Sequence, residues 1–377
     1  MTDVLIAGGG IAGSALAIML GRAGLRVEVF ERGHFPREKA CGEGLMPAGM
    51  GVLARLGLAD MVGGAPFYGV RYYMDGLVAE GRFPAATGVP AAGRGQRRRH
   101  LDQVLFAAAA ATSGVTARTG MRVEAPLWEC GRVVGLIVAG QERRAPLVVA
   151  ADGVHSHLRR LLGLDGPSPR RWRVGVRTHY RLAPGQVQPP WVEIFLGHGY
   201  ELYVTPLPEG EVLVAGLAEH DCVVDGAAAS MRRWLTEQPI LRERLAGAKC
   251  RSALRGMSPL ARRARAGVAP GAVLLGDAAG ALDPITGGGM AQALLTAELL
   301  ARYVMRHSEA SNDWLWAYDR ARRTLLRDER LLTQVVLGLA AHPWLARQTL
   351  RLLNATPALF SHLVGIAGGI GGIGAYR

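Results

Sequence analysis

The first 31 residues constrain the fold most, because they combine a short apolar run, a glycine-rich turn, a helical segment and a second apolar run that ends in an acid. The glycines of the turn are Gly8, Gly10 and Gly13. In this context Gly8 permits the tight turn, Gly10 lets a pyrophosphate approach the backbone, and Gly13 lets helix and strand pack closely. Glu31 stands where a carboxylate binds ribose hydroxyls. The segment therefore predicts an α/β domain that binds a dinucleotide.

The pattern changes in the middle of the chain. Residues 172–182, 192–196, 200–205 and 211–217 are strand-like runs separated by turn residues. Several strands with short connections favour an antiparallel sheet inserted into the α/β domain. The α/β pattern returns at 272–275, in a short apolar run.

Two domains and a helical extension are predicted from these changes. Residues 34–51, rich in glycine and proline, are predicted to form a loop, and residues 228–248 a helix. The predicted boundaries are 1–70, 98–165 and 262–325 for the nucleotide-binding domain, 71–97 and 166–261 for the inserted substrate-binding domain, and 326–377 for the C-terminal helices.

The chain is strongly basic, with a net charge of +13 and a pI of about 10.3. Its only lysines are Lys39 and Lys249, and the arginines are scattered in pairs without interleaved aromatic residues. This distribution is typical of solvated surface rather than of a nucleic-acid interface. The positive field would still favour an anionic cofactor or substrate.

Targeting and metal-binding patterns are not apparent. No apolar run reaches the roughly 18 to 20 residues of a membrane span, and no basic segment precedes the first apolar run as in a signal peptide. Cysteines without CxxC spacing argue against a zinc site and a disulfide framework, and favour a cytoplasmic protein with reduced thiols. The cysteines are Cys41, Cys130, Cys222 and Cys250.

A second glycine-rich segment follows the apolar run at 272–275. Asp277, directly after that run, can accept hydrogen bonds from a polyol such as a ribityl chain. Gly287, Gly288 and Gly289 would let a flat ring lie against the backbone at a helix N-terminus, whose dipole favours negative charge on a reduced flavin. A tight turn without catalytic meaning is the alternative.

The spacing of the first motif recurs at the C-terminus, in Gly369, Gly371 and Gly374. Only three residues follow, so no helix could present its dipole to a phosphate. This copy is predicted to be a flexible tail without a nucleotide.

Three motifs in order make the chain similar to the flavoprotein superfamily of para-hydroxybenzoate hydroxylase, the geranylgeranyl reductases and the flavin-dependent halogenases. They are GGGIAGS at 8–14, LVVAADG at 147–153 and GDAAGALDPITGGG at 276–289. The resemblance implies a Rossmann-like FAD-binding domain with an inserted antiparallel β-sheet domain and C-terminal helices. It also implies that Asp277 contacts the ribityl-pyrophosphate region.

The motifs and the resemblance together predict a set of cofactor-binding residues. The resemblance implies that Arg98 reaches FAD from the other side. Arg97 is the alternative register, and one more solvated arginine is the alternative interpretation. The predicted residues are Gly8, Gly10, Ile11, Ala12, Gly13, Glu31, Arg32, Cys41, Gly42, Arg98, Asp152, Gly276, Asp277, Pro284, Gly287, Gly288, Gly289 and Met290.

A single nucleotide motif suggests that NAD(P)H visits transiently, as in the single-component hydroxylases that the chain resembles. The predicted function is an FAD-dependent, NAD(P)H-using monooxygenase of secondary metabolism, which acts with molecular oxygen on a hydrophobic, aromatic or polyketide-like molecule. His179 and His198 could act on a phenol, but a structural histidine with satisfied hydrogen bonds is the favoured interpretation.

The alternative function is a reductase of C=C bonds in an isoprenoid or lipid. The segment PREKACGEGLMP at 36–47 is similar to the reductase and halogenase branches, and in the reductases a cysteine of this segment lies near the flavin, which implies a catalytic role for Cys41. Gly280 stands where the hydroxylases usually have histidine. Halogenation is disfavoured, because the only Trp-x-Trp is at 314–316 in a helical segment without the Ile-Pro of that branch.

Overall fold

The computed structural model describes residues 2–167, 172–307 and 313–372. The strands are, in chain order, β1 (Val4–Ala7), β2 (Val27–Phe30), β3 (Gly44–Leu45), β4 (Ala65–Phe67), β5 (Gly69–Met74), β6 (Leu77–Arg82), β7 (Gly93–Gly95), β8 (Val115–Arg118), β9 (Val123–Glu129), β10 (Arg132–Val138), β11 (Gln141–Arg144), β12 (Leu147–Ala150), β13 (Arg173–Arg181), β14 (Val192–Leu196), β15 (Tyr200–Pro206), β16 (Glu211–Glu219), β17 (Lys249–Cys250), β18 (Arg255–Met257), β19 (Val268–Ala269) and β20 (Ala272–Leu274).

The α-helices are, in the same order, α1 (Ile11–Arg22), α2 (Pro47–Arg55), α3 (Ala59–Val62), α4 (Arg98–Ala110), α5 (His157–Leu161), α6 (Gly226–Glu237), α7 (Pro239–Arg244), α8 (Gly289–Arg306), α9 (Asp313–Leu325), α10 (Arg327–Ala340), α11 (Pro343–Ala355) and α12 (Pro357–Ala367).

A six-stranded sheet in the order β19-β20-β12-β1-β2-β8 positions the glycine-rich turn. Strands β20, β12, β1, β2 and β8 run parallel, and β19 joins antiparallel. β1 is buried at every position, as expected of a parallel strand covered on both faces. Because β1 and β12 are paired through Ala7 and Ala150, the residues that follow them meet at the carboxyl edge of the sheet. Open α/β sheets bind their ligands at this edge.

The predicted inserted sheet is present and has eight strands, in the order β17-β13-β16-β15-β14-β5-β6 with β18 also pairing with β13. Its pairs are antiparallel except for β14 with β5. β15 is buried throughout because both of its faces are covered. Leu202 and Val204 pack with Trp234 of α6, whereas Tyr203 belongs to a cluster on the other face. That other face looks toward the carboxyl edge of the parallel sheet.

The C-terminal helices pack against the edge of the inserted sheet. Leu350 of α11 and Phe360 and Val364 of α12 share an apolar cluster with Ala79 of β6. α10 lies against a 3₁₀ turn at Pro284–Thr286, which precedes α8. Among the described residues, no helix has both the length and the apolarity that a bilayer crossing requires.

Two predictions about local structure are wrong. The predicted loop over 34–51 contains α2, which begins at Pro47. Proline suits the first position of a helix, and the burial of Val52 and Leu53 in the core outweighs the poor helix propensity of the local glycines. The predicted helix over 228–248 is divided into α6 and α7 at Pro239, because proline cannot continue the hydrogen bonds of α6.

The predicted flexible tail is also wrong for its first residues. Ile370 is buried, and the amide of Ala48 in α2 donates to the carbonyl of Gly368 at 3.0 Å. A Cβ on Gly369 would lie 2.6 Å from the Cβ of Ala48, so the chain packs closely here. Gly374, the last glycine of the repeated spacing, lies outside the described residues.

Candidate functional site

A cavity of about 220 Å³ lies between the carboxyl edge of the parallel sheet and the inserted sheet. Many of the predicted cofactor-binding residues line it: Gly10, Ile11, Ala12, Cys41, Gly42, Arg98, Asp277, Pro284, Gly287, Gly288, Gly289 and Met290. The fold therefore brings the first motif, the 39–44 segment and the third motif to one place. The remaining predicted residues do not line the cavity: Gly8, Gly13, Glu31, Arg32, Asp152 and Gly276.

The first glycine turn has the close approaches that the sequence predicts. Gly8 has a φ of +106°, and a Cβ there would lie 2.4 Å from the carbonyl oxygen of Ala151. A Cβ on Gly13 would lie 2.0 Å from the carbonyl oxygen of Gly8. At Gly10 the nearest atom to a Cβ would be a guanidinium nitrogen of Arg37 at 3.6 Å. Gly8 and Gly13 thus shape the turn, while Gly10 leaves its backbone open toward the cavity.

Glu31 ties the end of β2 to the turn. Its buried carboxylate accepts hydrogen bonds from the amides of Gly9 at 3.0 Å and Gly33 at 2.9 Å, and it lies 3.5 Å from a nitrogen of Arg37. The next residue, Arg32, is exposed. Contacts of Glu31 and Arg32 with a bound nucleotide stay predictions.

Arg98 is almost completely buried at the start of α4 and lines the cavity. Its Nε and one terminal nitrogen donate to the two carboxylate oxygens of Asp102 at 2.7 and 3.0 Å. Burial lowers the pKa of Arg98, but Asp102 and then Cys41 raise it more, so the guanidinium stays charged. Arg97 instead pairs with Glu211 of the inserted sheet at 2.9 Å. The structure therefore favours Arg98 over Arg97 in the predicted register.

Cys41 lies in a segment whose backbone is held by the inserted sheet. The hydroxyl of Thr205 donates to the carbonyl of Gly42 at 2.9 Å, and Arg177 donates to the carbonyl of Lys39 at 3.0 Å. The amide of Glu43 donates to the Cys41 sulfur at 3.4 Å. Cys41 is thereby held at the cavity wall.

A buried hydrogen-bond chain supports this segment from behind. Glu43, fully buried, accepts from the amide of Arg98 at 3.0 Å and pairs with Nε2 of His179 at 2.7 Å. The other ring nitrogen of His179 contacts the hydroxyl of Ser252 at 2.7 Å. The prediction that His179 is a structural histidine with satisfied hydrogen bonds is confirmed.

Lys39 is a cavity residue that the sequence did not single out. Its Nζ lies 3.9 Å from a carboxylate oxygen of Asp277, and a Cβ on Gly153 would lie 3.8 Å from it. Burial and then Arg98 lower the pKa of Lys39, against the opposing effect of Asp277. The one signal available was composition: a lysine at this position is unusual in a chain that otherwise uses arginine.

The third motif supplies the start of α8. Gly287 has a φ of +74°, and no atom lies within 4 Å of a Cβ built on Gly289. Behind the turn, Gly288 is covered by Glu329 of α10, whose Oε1 would lie 1.6 Å from a Cβ on Gly288. Burial raises the pKa of Glu329 to about 7. The backbone is therefore open at Gly289 and covered by Glu329 at Gly288.

Asp152 has a different environment from Asp277. Its carboxylate accepts from the amides of His157 at 2.7 Å and Leu158 at 3.1 Å, and from the hydroxyl of Ser156. It thus stabilises the start of α5 and sits beside the cavity residues Ala151 and Gly153. Its predicted support of the cofactor site would be through the backbone of this segment.

The wall contributed by the inserted sheet is mainly apolar. Its polar members already have partners: Arg177 pairs with Glu38, Thr205 with Gly42, and the Tyr203 hydroxyl lies 3.0 Å from a carboxylate oxygen of Glu201. Burial, followed by Glu201, raises the pKa of Tyr203 well above its usual value, so its hydroxyl keeps its proton. The apolar members of this wall are Val176, Val192, Ala215, Leu217, Met257 and Leu260.

The residues of the cavity fit a flavin dinucleotide. Gly10 and Gly289 leave room where side chains would otherwise project, and α8 directs its N-terminus toward the cavity. Arg98 and Lys39 supply positive charge for an anionic group, and the carboxylate of Asp277 is partly exposed as an acceptor. Such a donor and acceptor set matches a pyrophosphate joined to a polyol.

Comparisons with known proteins agree with this fit. The family described as FAD binding domain matches residues 1–329. A menaquinone reductase of Mycolicibacterium smegmatis is 30% identical over 324 residues, which cover 79% of this chain and 75% of that protein. Squalene epoxidase 2 of Arabidopsis thaliana is 32% identical over 340 residues, 83% of this chain. The match spans only 55% of the plant protein.

Solved structures share the fold over nearly the whole chain. A flavoprotein/dehydrogenase of Cytophaga hutchinsonii has a TM-score of 0.85 at 21% identity, covering 98% of this chain and 92% of its own. PqsL of P. aeruginosa, in complex with 2-aminobenzoylacetate, has a TM-score of 0.79 at 24% identity, with coverages of 91% and 98%. The family match, the fold and the cavity lead to one conclusion: this chain belongs to the FAD-binding domain family and is an FAD-dependent oxidoreductase.

Proposed function

We propose that the protein is a monooxygenase that uses FAD and NAD(P)H to insert one atom of molecular oxygen into a hydrophobic small molecule, the other atom leaving as water. The observation that carries this proposal is the cavity. Its cofactor side is formed by glycine turns and cations, and its opposite side by apolar side chains whose polar neighbours are already paired. An apolar molecule can therefore lie against this wall without leaving buried polar groups unpaired.

The substrate class follows from the wall and from the relatives. The sequence predicts an aromatic or polyketide-like molecule of secondary metabolism. Two relatives at about 30% identity are named for squalene, a linear isoprenoid, and for menaquinone, a naphthoquinone that carries an isoprenoid chain. These names favour a long, apolar, unsaturated substrate.

The chain's own residues have simple roles in this reaction. Reduced FAD supplies the electrons that activate oxygen. The apolar wall excludes water, which limits the loss of reducing equivalents to solvent. Arg98 and Lys39 provide positive charge beside the cofactor, while the hydroxyl of Tyr203 stays bonded to Glu201 and to the carbonyl of Ile285. Among the described residues, His179 does not serve as a base at the wall, because both of its ring nitrogens are engaged behind the 39–44 segment.

Reduction of a C=C bond in a similar substrate is the second candidate. It is favoured by Cys41, which lines the cavity next to the charged Arg98 and accepts a hydrogen bond from the amide of Glu43. In the monooxygenase reaction Cys41 would only pack against the cofactor.

Oxygen dependence separates the two reactions. The purified protein would be supplied with NADPH and a panel of apolar alkenes, quinones and aromatic compounds, in air and under strict anaerobiosis. We expect product and oxygen consumption only in air, and we expect Cys41→Ala to keep most of the activity. Product formed without oxygen, with loss of one double bond per NADPH and a changed rate in Cys41→Ala, would establish the reductase instead.

A further inference from the structure

The C-terminal helices expose an apolar surface on the side away from the protein core. It consists of two residues of α10 and three of α11, each between 40% and 68% exposed. We call it the hairpin surface; its members are Leu331, Val335, Trp344, Leu345 and Leu352. Large apolar side chains that are grouped on one exposed surface commonly mark an interaction site.

The helix geometry explains the grouping. Leu331 and Val335 are four residues apart, and therefore adjacent on one side of α10. On α11 the buried residues Ala346, Leu350 and Leu353 face the inserted sheet. Trp344, Leu345 and Leu352 lie outside that buried stripe. The turn between the two helices, 341–342, is exposed as well.

The charge around this surface is mainly positive, although Asp328, which pairs with Arg327, lies three residues before Leu331 on α10. From residue 330 to residue 377 the sequence has no aspartate or glutamate, whereas Arg330, Arg347 and Arg351 lie within this stretch. Partial burial, and then the neighbouring arginines Arg322 and Arg323, lower the pKa of Arg330, which shows that cations also crowd the base of α10. The hairpin surface thus combines exposed apolar side chains with a positive surround.

The same helix also contacts the cavity. On its inner side, the hydroxyl of Thr333 lies 3.1 Å from that of Thr286, and Glu329 covers Gly288. Thr286 and Gly288 both line the cavity. α10 therefore connects the exposed hairpin surface with the wall of the candidate site.

We propose that the hairpin surface docks on an anionic lipid bilayer, with its apolar residues in the headgroup region and its arginines near lipid phosphates. Helices that lie in a membrane interface typically combine Trp and Leu on one face with cationic residues beside them. A second copy of the chain fits less well, because an isologous contact would bring the same arginines together. The proposal depends on this surface alone and not on the reaction at the cavity.

The test is flotation of the FAD-loaded full-length protein with vesicles, without substrate. We expect binding to vesicles of phosphatidylglycerol mixed with phosphatidylcholine, weaker binding to phosphatidylcholine alone, and release by salt. Replacing Trp344 and Leu345 by serine should reduce binding by about tenfold or more, and Arg351→Gln by about fivefold. Matched controls are Trp128→Ser and Arg144→Gln, exposed on the β9–β11 sheet, which should bind as the wild type does.

Three results would overturn the proposal. One is unchanged vesicle binding in the Trp344 and Leu345 double variant, while its FAD content shows that it is folded. Another is equal binding to both vesicle types at all salt concentrations. The third is absence of vesicle binding together with concentration-dependent self-association that the double variant abolishes, which would assign the surface to a second copy.

Discussion

At the scale of single residues, charge at the cavity is set by a few buried contacts. Asp102 keeps Arg98 charged and fixed, and Asp277 lies next to Lys39. The resemblance implied a role for Arg98, and the position of Asp277 directly after an apolar strand predicted its role. The sequence did not predict Lys39 or Tyr203, because a lysine in a loop and a tyrosine in a strand have no distinguishing pattern until the fold brings them to the cavity.

Lys39 should contribute to FAD affinity. Lys39→Met removes a positive charge that faces the cavity, and a lost charge-assisted contact with the cofactor is worth about 10- to 100-fold in the dissociation constant. The control is Lys249→Met, which removes the other lysine of the chain at an exposed position. Titration of apoprotein with FAD, followed by flavin fluorescence, measures both. Equal affinities of the two variants would show that the Lys39 ammonium does not contact the cofactor.

Glu329 should make the protein less stable as the pH rises. Its pKa is raised to about 7 by burial, so between its unfolded value near 4.5 and about 7 the folded state binds the extra proton and the unfolded state does not. The free energy of unfolding then falls with pH across this window, by about 3 kcal/mol from this group.

Glu329→Gln, which cannot ionise, should lack this loss. Chemical unfolding of both proteins at a series of pH values gives the difference between their free energies of unfolding. The contributions of the other carboxylates are the same in both proteins and cancel in this difference. If this difference in the free energy of unfolding stays constant from pH 4.5 to pH 7, Glu329 is ionised in the folded protein.

At the scale of elements, the start of α8 is the junction of the site. The third motif leads directly into it, and Glu329 of α10 packs against it at Gly288. The sequence predicted the glycines and the helix, because the strand–acid–glycine–helix order is local. It did not predict that α10 closes the back of the turn, because that contact joins residues about 40 positions apart through packing alone.

Two neighbouring glycines should therefore respond differently to alanine. At Gly288 a Cβ would collide with Glu329, and displacing α10 should lower the free energy of unfolding by roughly 1–3 kcal/mol. At Gly289 the space is open, so Gly289→Ala should leave the stability of the apoprotein unchanged and weaken FAD binding instead.

The double variant Gly288→Ala/Glu329→Ala tests the cause. It should be more stable than the sum of its single changes implies, because removal of the Glu329 side chain relieves the collision. Strict additivity would show that the loss at Gly288 comes from another contact.

At the scale of the whole molecule, two sheets enclose the cavity and the C-terminal helices close its side. The nucleotide-binding unit and the antiparallel sheet could be predicted, since their periodicities differ. The start of α2 and the packed residue Ile370 could not, because their order depends on burial against α8, the inserted sheet and each other rather than on local propensity.

The most direct measurement of the central claim is the flavin absorption difference spectrum of the oxidised protein during titration with ligands. The cavity wall is apolar, so a molecule such as squalene or a menaquinone should perturb the flavin bands in a saturable way, whereas a charged aromatic acid such as para-hydroxybenzoate should not. The opposite result, saturable perturbation by the charged acid and none by any apolar molecule, would contradict the account.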